Sequence, residues 1–203
     1  MSPDDFQAET GADAATMARL SAYAELLRRW QARINLVGPD TLPDLWHRHF
    51  FDSAQLIPLL PQTVHRLVDM GSGAGFPGLV LAAMGVPDVH LIESDSRKCA
   101  FLREAARVMA VTVTVHNSRI EAVEPLGADV VTARALAPLH RLFGWAERHL
   151  LPGGHALFLK GRAVEDELTE AGKEWNIALG RIPSRTDAAA TILHCREVRR
   201  GRA

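Results

Sequence analysis

Only two cysteines, Cys99 and Cys195, occur in the 203 residues, neither in C-x-x-C spacing nor beside histidine ligands. Neither a disulfide scaffold nor a zinc site is therefore suggested. No apolar run approaches the roughly 20 residues needed to cross a bilayer. Met1 to Thr10 carries Asp4, Asp5 and Glu9 and no apolar core, which does not read as a signal peptide. The formal net charge is −1, so no global field attracts nucleic acid. Any such attraction must come from local basic clusters. Internal repeats and low-complexity stretches are missing as well. What remains is an ordinary globular composition, 47% hydrophobic and 23% charged. The length suits one α/β domain with an accessory segment, and the expectation is a soluble cytoplasmic protein.

The chain is organised around Arg66 to Gly78, RLVDMGSGAGFPG. Leu67, Val68 and Met70 read as the end of a buried strand with Asp69 at its carboxyl tip. Glycines follow at 71, 73, 75 and 78, and Pro77 suits the first turn of a helix. Glycine permits positive φ and lets a ligand approach the backbone without a Cβ in the way. Strand, glycine turn and helix together present backbone N–H groups to a nucleotide-like ligand.

Two cofactors compete for this loop. Gly73-x-Gly75-x-x-Gly78 matches the dinucleotide fingerprint literally, with Glu93 at a distance suited to a ribose-binding acid. That keeps open an NAD(P)-dependent oxidoreductase or a non-catalytic nucleotide-binding module. Yet the glycine that follows the strand directly is Gly71, and counted from there the third fingerprint position is Phe76. An acid at the strand end followed by GxGxG resembles the first motif of class I S-adenosylmethionine-dependent methyltransferases. That cofactor has no pyrophosphate to cradle, and its amino group and sulfonium favour a nearby carboxylate.

Residues 1 to 12 read as a frayed, acidic start. From Ala14 to Ile34 apolar residues recur at helical spacing, an amphipathic helix. Asn35 to Pro39 ends it, and Leu42 to Leu60 reads as one or two further helices opening with LWHRHFFDS. After the cofactor strand come strands at Val89–Ile92, Val111–Val115, Ala128–Thr132 and His155–Leu159. Helices at Arg97–Met109 and Pro138–Leu150 alternate with them, Pro152 to Gly154 forms a turn, and Val164–Leu179 is helical. A last strand runs from Thr191 to Cys195 after a β-rich connection. Strict alternation with near-continuous apolar strands means a doubly wound, mostly parallel sheet. The expected division is a helical extension over 1–62 and a Rossmann-like domain over 63–203.

Ligands of such sheets sit outside the carboxyl ends of the strands. Glu93 is placed to accept hydrogen bonds from both ribose hydroxyls. Glu121, after the third strand, can reach an adenine amino group or remain a surface acid. Arg134 ends the fourth strand and needs a partner: the cofactor carboxylate, an RNA phosphate or a protein acid. RNA contact falls to Arg48 with His47 and His49, Arg134, Lys160 with Arg162, and the tail arginines 196, 199, 200 and 202. Lys160 is the best placed of these for a phosphate, and the tail reads first as a solvated end. His49 and Asp52 lie three apart on an expected helix, a spacing at which they would face each other, suiting packing or capping first and RNA contact second. The cysteines read as small core residues.

INLV, RHFFDS, GSGAGFPG, ESDSRKCAFLRE, NSRIE, TARALAPL and FLKG together resemble the bacterial small-subunit ribosomal RNA guanine-N7 methyltransferases, the RsmG or GidB family. The resemblance runs from about Tyr23 to beyond Gly161, with one departure: Gln31 stands where the family often has Asn. It implies S-adenosylmethionine as cofactor, 16S ribosomal RNA as partner (naked or in a small-subunit particle), and an antiparallel last strand. Family cofactor contacts carry over to Gly71 and Phe76 in the loop, to Ile120 and Glu121, and to Arg134. Gly73 and Glu93 join them on spacing. The chemistry accommodates N7. No N/D-P-P-Y/F motif follows the fourth strand to hold an exocyclic amine, and neither cysteine suits C5 attack. Guanine N7 carries a lone pair and no proton, so proximity and orientation suffice. No catalytic residue and no metal ligand are assigned.

Overall fold

The computed structural model describes residues 1–201 and contains one seven-stranded sheet in the order β3-β2-β1-β4-β5-β7-β6. Its strands are β1 (Leu67–Met70), β2 (Val89–Glu93), β3 (Val113–Asn117), β4 (Ala128–Arg134), β5 (Leu150–Lys160), β6 (Trp175–Pro183) and β7 (Thr191–Arg200). The first five run parallel. β7 pairs antiparallel with β5 and with β6, as the family resemblance implies. The strand order reverses between β1 and β4, which opens a crevice at their carboxyl ends.

Both faces of the sheet are buried, and the two-residue strand period divides the core cleanly. Leu67, Leu91, Val130, Leu157 and Ile192 point to one face; their neighbours Val68, Ile92, Val131, Phe158 and Leu193 point to the other. The first face is covered by α1 (Pro3–Thr10), α2 (Ala14–Gln31), α4 (Gly78–Ala83) and α5 (Ser96–Met109). The second is covered by α6 (Leu139–His149) and α7 (Val164–Ala171). Helices on both faces of a mostly parallel sheet make the Rossmann-like, doubly wound class that the alternation predicts.

Several elements differ from the sequence expectation. Residues 1–12 are not frayed. Ser2 and Asp5 form a reciprocal capping box at the start of α1, and Phe6 is fully buried against the Trp46 ring, 5.3 Å away. α2 stops at Gln31, whose side-chain oxygen accepts from the Leu36 and Val37 N–H groups and whose amide donates to the Val37 carbonyl at 2.8 Å. The one departure from the family pattern thus holds the INLV turn.

The RHFFDS stretch is a π-helix, Trp46–Phe51, running into the short α3 (Asp52–Ala54). A five-residue hydrogen-bond span is invisible to a search for 3.6-residue periodicity. β3 begins two residues later than expected, and Pro152 to Gly154 lies within β5 beside a register shift instead of a free turn. The helix expected over Val164–Leu179 ends at Ala171. Trp175 buries its ring on the second sheet face, and the segment after it pairs with β7, so tertiary pairing overrides local helical pattern. Arg196, Arg199 and Arg200 accordingly belong to β7 and are no solvated tail; Arg202 lies outside the described residues. Cys99 and Cys195 are free and buried, as expected of core residues, and burial pushes the Cys195 thiol up to about 12.

Candidate active site

The carboxyl ends of β1, β2, β4 and β5 open into a cleft of about 860 Å³. Gly71, Gly73, Phe76, Glu93, Ile120, Glu121, Arg134, Arg48 and Lys160 all line it. The fold therefore brings the expected cofactor residues together with Arg48 and Lys160, though several are engaged in ways the sequence does not reveal; His47, Arg196, Arg199 and Arg200 do not line this cleft.

The glycine loop is anchored on three sides. Beneath it, Asp69 is the penultimate residue of β1 and is 1% exposed. Its carboxylate accepts from the Thr132 hydroxyl at 2.7 Å and from the Gly78 N–H at 3.3 Å. Burial pushes this carboxyl up to about 6, against the pull of those hydrogen bonds. Asp69 does not line the cleft, so it is a support of the loop and not the ligand-facing acid that a strand-tip position suggested. Beside the loop, Glu93 accepts from the Gly73 N–H at 2.9 Å and from the Asp95 N–H at 2.8 Å. Above it, the buried Tyr23 hydroxyl donates to the Ala74 carbonyl, and the Tyr23 ring stacks on Phe76 at 5.3 Å.

The glycines divide the work. A Cβ at Gly73, at φ +55°, would meet only the Gly71 carbonyl oxygen, at an ordinary 3.9 Å. A Cβ at Gly71, also at positive φ, would lie 2.3 Å from Leu136 Cδ1. Substitution there clashes with the β4–α6 connection before it reaches any ligand. At Gly78 a Cβ would meet Leu91 and the Asp69 side chain, at 2.4 and 2.9 Å. This last glycine therefore serves close helix–strand packing, a role that both readings of the loop can accommodate.

Arg134 takes the protein-acid option among its three possible partners. Its guanidinium donates to Asp52 Oδ2 at 3.1 Å, to the Arg48 carbonyl at 3.2 Å and to His49 Nδ1 at 2.8 Å. It lies 5.1 Å over the Phe76 ring. His49 Nε2–H in turn donates to Thr41 Oγ1 at 2.7 Å, whose hydroxyl proton goes to the Gly38 carbonyl. This fixes the tautomer that leaves Nδ1 free to accept. Burial, reinforced by Arg134 and Arg48, pushes His49 down to about 3, so it is neutral near pH 7. His49 and Asp52 thus face Arg134 and not each other. Of the five donors of a guanidinium, two remain for a ligand.

Two further site residues have protein partners that the sequence does not reveal. Lys160 is not a free cation: Nζ pairs with Glu167 Oε2 at 2.7 Å and donates to the Ala137 carbonyl at 3.0 Å. Glu167 also caps α6 by accepting from the Leu139 N–H. Arg48 stands 3.8 Å from Asp187. Sequence reasoning missed Tyr23, Thr132 and the paired Arg141 and Trp145, all brought in by other elements. Tyr23, as the sole tyrosine in a helix otherwise read as a cover, was the only one to leave a visible signal.

The residues present fit S-adenosylmethionine. The cleft volume suits a nucleoside-sized ligand, Glu93 offers a carboxylate beside the glycine loop, and Gly73 leaves open the space a side chain would fill. Among the described residues no group of three or more His, Cys, Asp or Glu can hold a metal ion, and no helix is long and apolar enough to cross a membrane.

Comparison with known proteins agrees. A methyltransferase from Aquifex aeolicus described as SAM-dependent shares the fold, with a TM-score of 0.60 at 14% identity over 76% of this chain and 93% of that one. The ribosomal RNA small subunit methyltransferase G of Paramagnetospirillum magneticum is 66% identical over 100% of this chain and 99% of its own length. That of Rhodospirillum centenum is 56% identical over 96% and 90%. Residues 16–191 match the family described as GidB, rRNA small subunit methyltransferase G. With the glycine loop, the Glu93 carboxylate and the cleft already in place, that match over most of the chain decides its family: the chain belongs to GidB, the S-adenosylmethionine-dependent small-subunit rRNA methyltransferases.

Proposed function

We propose that the chain methylates N7 of a guanine in 16S ribosomal RNA, and that Gly71, Gly73, Phe76, Glu93, Ile120, Glu121 and Arg134 hold its cofactor. The observation that carries this reading is Glu93. Its carboxylate secures the Gly73 N–H while bordering the cleft, so it can accept ribose hydroxyls without releasing the loop. Ile120 and Glu121, in the turn after β3, border the adenine end, and Arg134 directs its two spare donors to a carboxylate. S-adenosylmethionine, when bound, supplies an electrophilic methyl group on its sulfonium.

The protein's share of the chemistry is orientation. His49 is held neutral and its ring nitrogens are both engaged. Asp52 is paired, and Asp69 lies outside the cleft. None of the three stands ready to take a proton, and guanine N7 has none to give. Aligning a lone pair with the methyl carbon in a shielded cleft is then the main requirement.

Residues 1–62 act in this reading as a helical extension of the methyltransferase domain at 63–203. They reach the site through Tyr23, His49 and Asp52. Arg48 and Lys160 border the RNA side of the cleft, Lys160 by neutralising Glu167 instead of gripping phosphate. Incubation with methyl-labelled cofactor tests the function, using both deproteinised 16S RNA and intact small subunits from cells without this protein. Digestion and mass spectrometry should find 7-methylguanosine; label on an exocyclic amine or a pyrimidine carbon would overturn the N7 assignment.

A further inference from the structure

On the cleft wall that the sequence left unassigned, Arg141 and Trp145 stand one helical turn apart on α6. The Arg141 guanidinium lies over the Trp145 ring, 4.8 Å from its centre. Arg141 is exposed and Trp145 half-buried, while Leu139, Leu142, Phe143, Ala146 and His149 carry the packing face of the helix. Among the described residues the Arg141 guanidinium has no carboxylate or carbonyl partner, unlike Arg134 and Lys160 in the same cleft.

We propose that Arg141 and Trp145 form a stacking platform for an unstacked RNA base beside the methyl-transfer site. The inference rests on the RNA-methylating reading of the cleft and adds where that RNA is gripped. Sequence-tolerant RNA binding places bases on aromatic rings and on guanidinium planes, with nearby cations for the backbone. A guanidinium lying on an indole offers such a plane while keeping its own hydrogen-bond donors free. Arg119 and Arg162, exposed on the same cleft, supply positive charge for adjacent phosphates.

The platform is also rigid. Arg148 donates twice to the Val123 carbonyl, at 3.1 and 2.9 Å, and His149 to the Ile120 carbonyl at 3.2 Å. The other end of α6 is capped where the Leu139 N–H meets Glu167. The carbonyl of Ile120, a proposed adenine neighbour, is thereby tied to the helix that carries the platform. A base stacked on Arg141 would be held in register with the cofactor at little ordering cost.

Steady-state methylation of whichever substrate the wild type accepts, deproteinised 16S RNA or small subunits, tests the proposal. Trp145→Ala should raise KM for RNA at least tenfold, with KM for S-adenosylmethionine unchanged, and Trp145→Phe should recover most of the loss. Because Trp145 also packs on the core, the exposed Arg141 gives an independent arm. Arg141→Ala should raise KM for RNA several-fold, and Arg141→Lys should not restore it, since an ammonium keeps the charge but loses the plane. Full rescue by Arg141→Lys, or wild-type KM in Trp145→Ala, would overturn the platform while leaving the methyltransferase reading intact. A wild-type protein that methylates no RNA in either form would overturn both.

Discussion

Asp52 and Arg134 meet at 3.1 Å across 82 residues of chain, at the point where the N-terminal segment closes over the end of β4. The same carboxylate accepts from the Thr186 hydroxyl at 2.6 Å and from the Gln55 amide at 2.9 Å. One side chain thus joins the π-helix region, the β4 terminus and the β6–β7 connection. Arg134 and Thr186 come from other parts of the fold and Gln55 from the same segment, so the Asp52 carboxylate is held from three directions.

Removing that charge should loosen all three. Asp52→Asn keeps the volume but leaves Arg134 without its counter-ion in a site where both side chains are mostly buried. A fully buried pair broken on one side costs several kcal/mol, and this pair at a cleft mouth should cost about 2 kcal/mol. The variant should melt several degrees lower and bind S-adenosylhomocysteine about tenfold more weakly by calorimetry. Unchanged binding beside a lowered melting temperature would confine Asp52 to folding.

Asp69 predicts a pH dependence of stability. Its folded carboxyl titrates at about 6, against 3.8 in the unfolded chain, chiefly through burial. Between those values the folded protein keeps a proton that the unfolded chain has lost. The stability of the protonated form is therefore complete below the lower value and is lost as pH rises through about 6, an interval worth about 3 kcal/mol. Asp69→Asn cannot ionise, so its unfolding free energy relative to wild type should improve from about pH 4 and level off above about pH 6. Urea titrations across that window decide it; a flat difference would mean that the carboxyl ionises in its ordinary range.

The legible and illegible parts of this protein separate by the range of the interactions. Gly71 to Phe76, Glu93 and Arg134 could be placed because strand, turn and helix patterns are local, and because open sheets present their ligands at strand ends. Asp69 was recognised as important but given the wrong face: a two-residue period says which sides alternate, not which residue the loop will cover. The ion pair of Lys160 was not legible because its partner Glu167 arrives from α7, and no spacing rule links them. The π-helix and the β6 strand escaped for two different physical reasons. One has a hydrogen-bond span outside the usual periods, and the other is settled by pairing with β7.

Glu93 should separate loop support from ligand binding. Glu93→Gln retains one acceptor oxygen, so either the Gly73 or the Asp95 N–H loses its partner, and the charge facing the ribose disappears. Hydrogen bonds to a charged group contribute about 1.5–3 kcal/mol. The dissociation constant for S-adenosylhomocysteine should rise by about 10- to 150-fold, with a melting temperature close to wild type. Equal affinity in the two proteins would remove Glu93 from the cofactor site.

Lys160 distinguishes two ways a cation can assist RNA binding. If Nζ gripped a phosphate, Lys160→Ala would flatten the salt dependence of RNA affinity by roughly one unit of slope, and no second change would repair it. The structure instead gives Nζ to Glu167 at 2.7 Å, on a side chain that is mostly buried. Removing the lysine then leaves an uncompensated carboxylate facing the cleft, and RNA binding weakens by repulsion. On that account the double variant Lys160→Ala, Glu167→Gln should recover most of the lost affinity and keep the wild-type salt slope, while cofactor affinity stays nearly constant throughout. Fluorescence anisotropy with a labelled 16S fragment over a salt series measures both quantities. A double variant that remains as weak as the single one, with a flattened slope, would return the phosphate to Lys160.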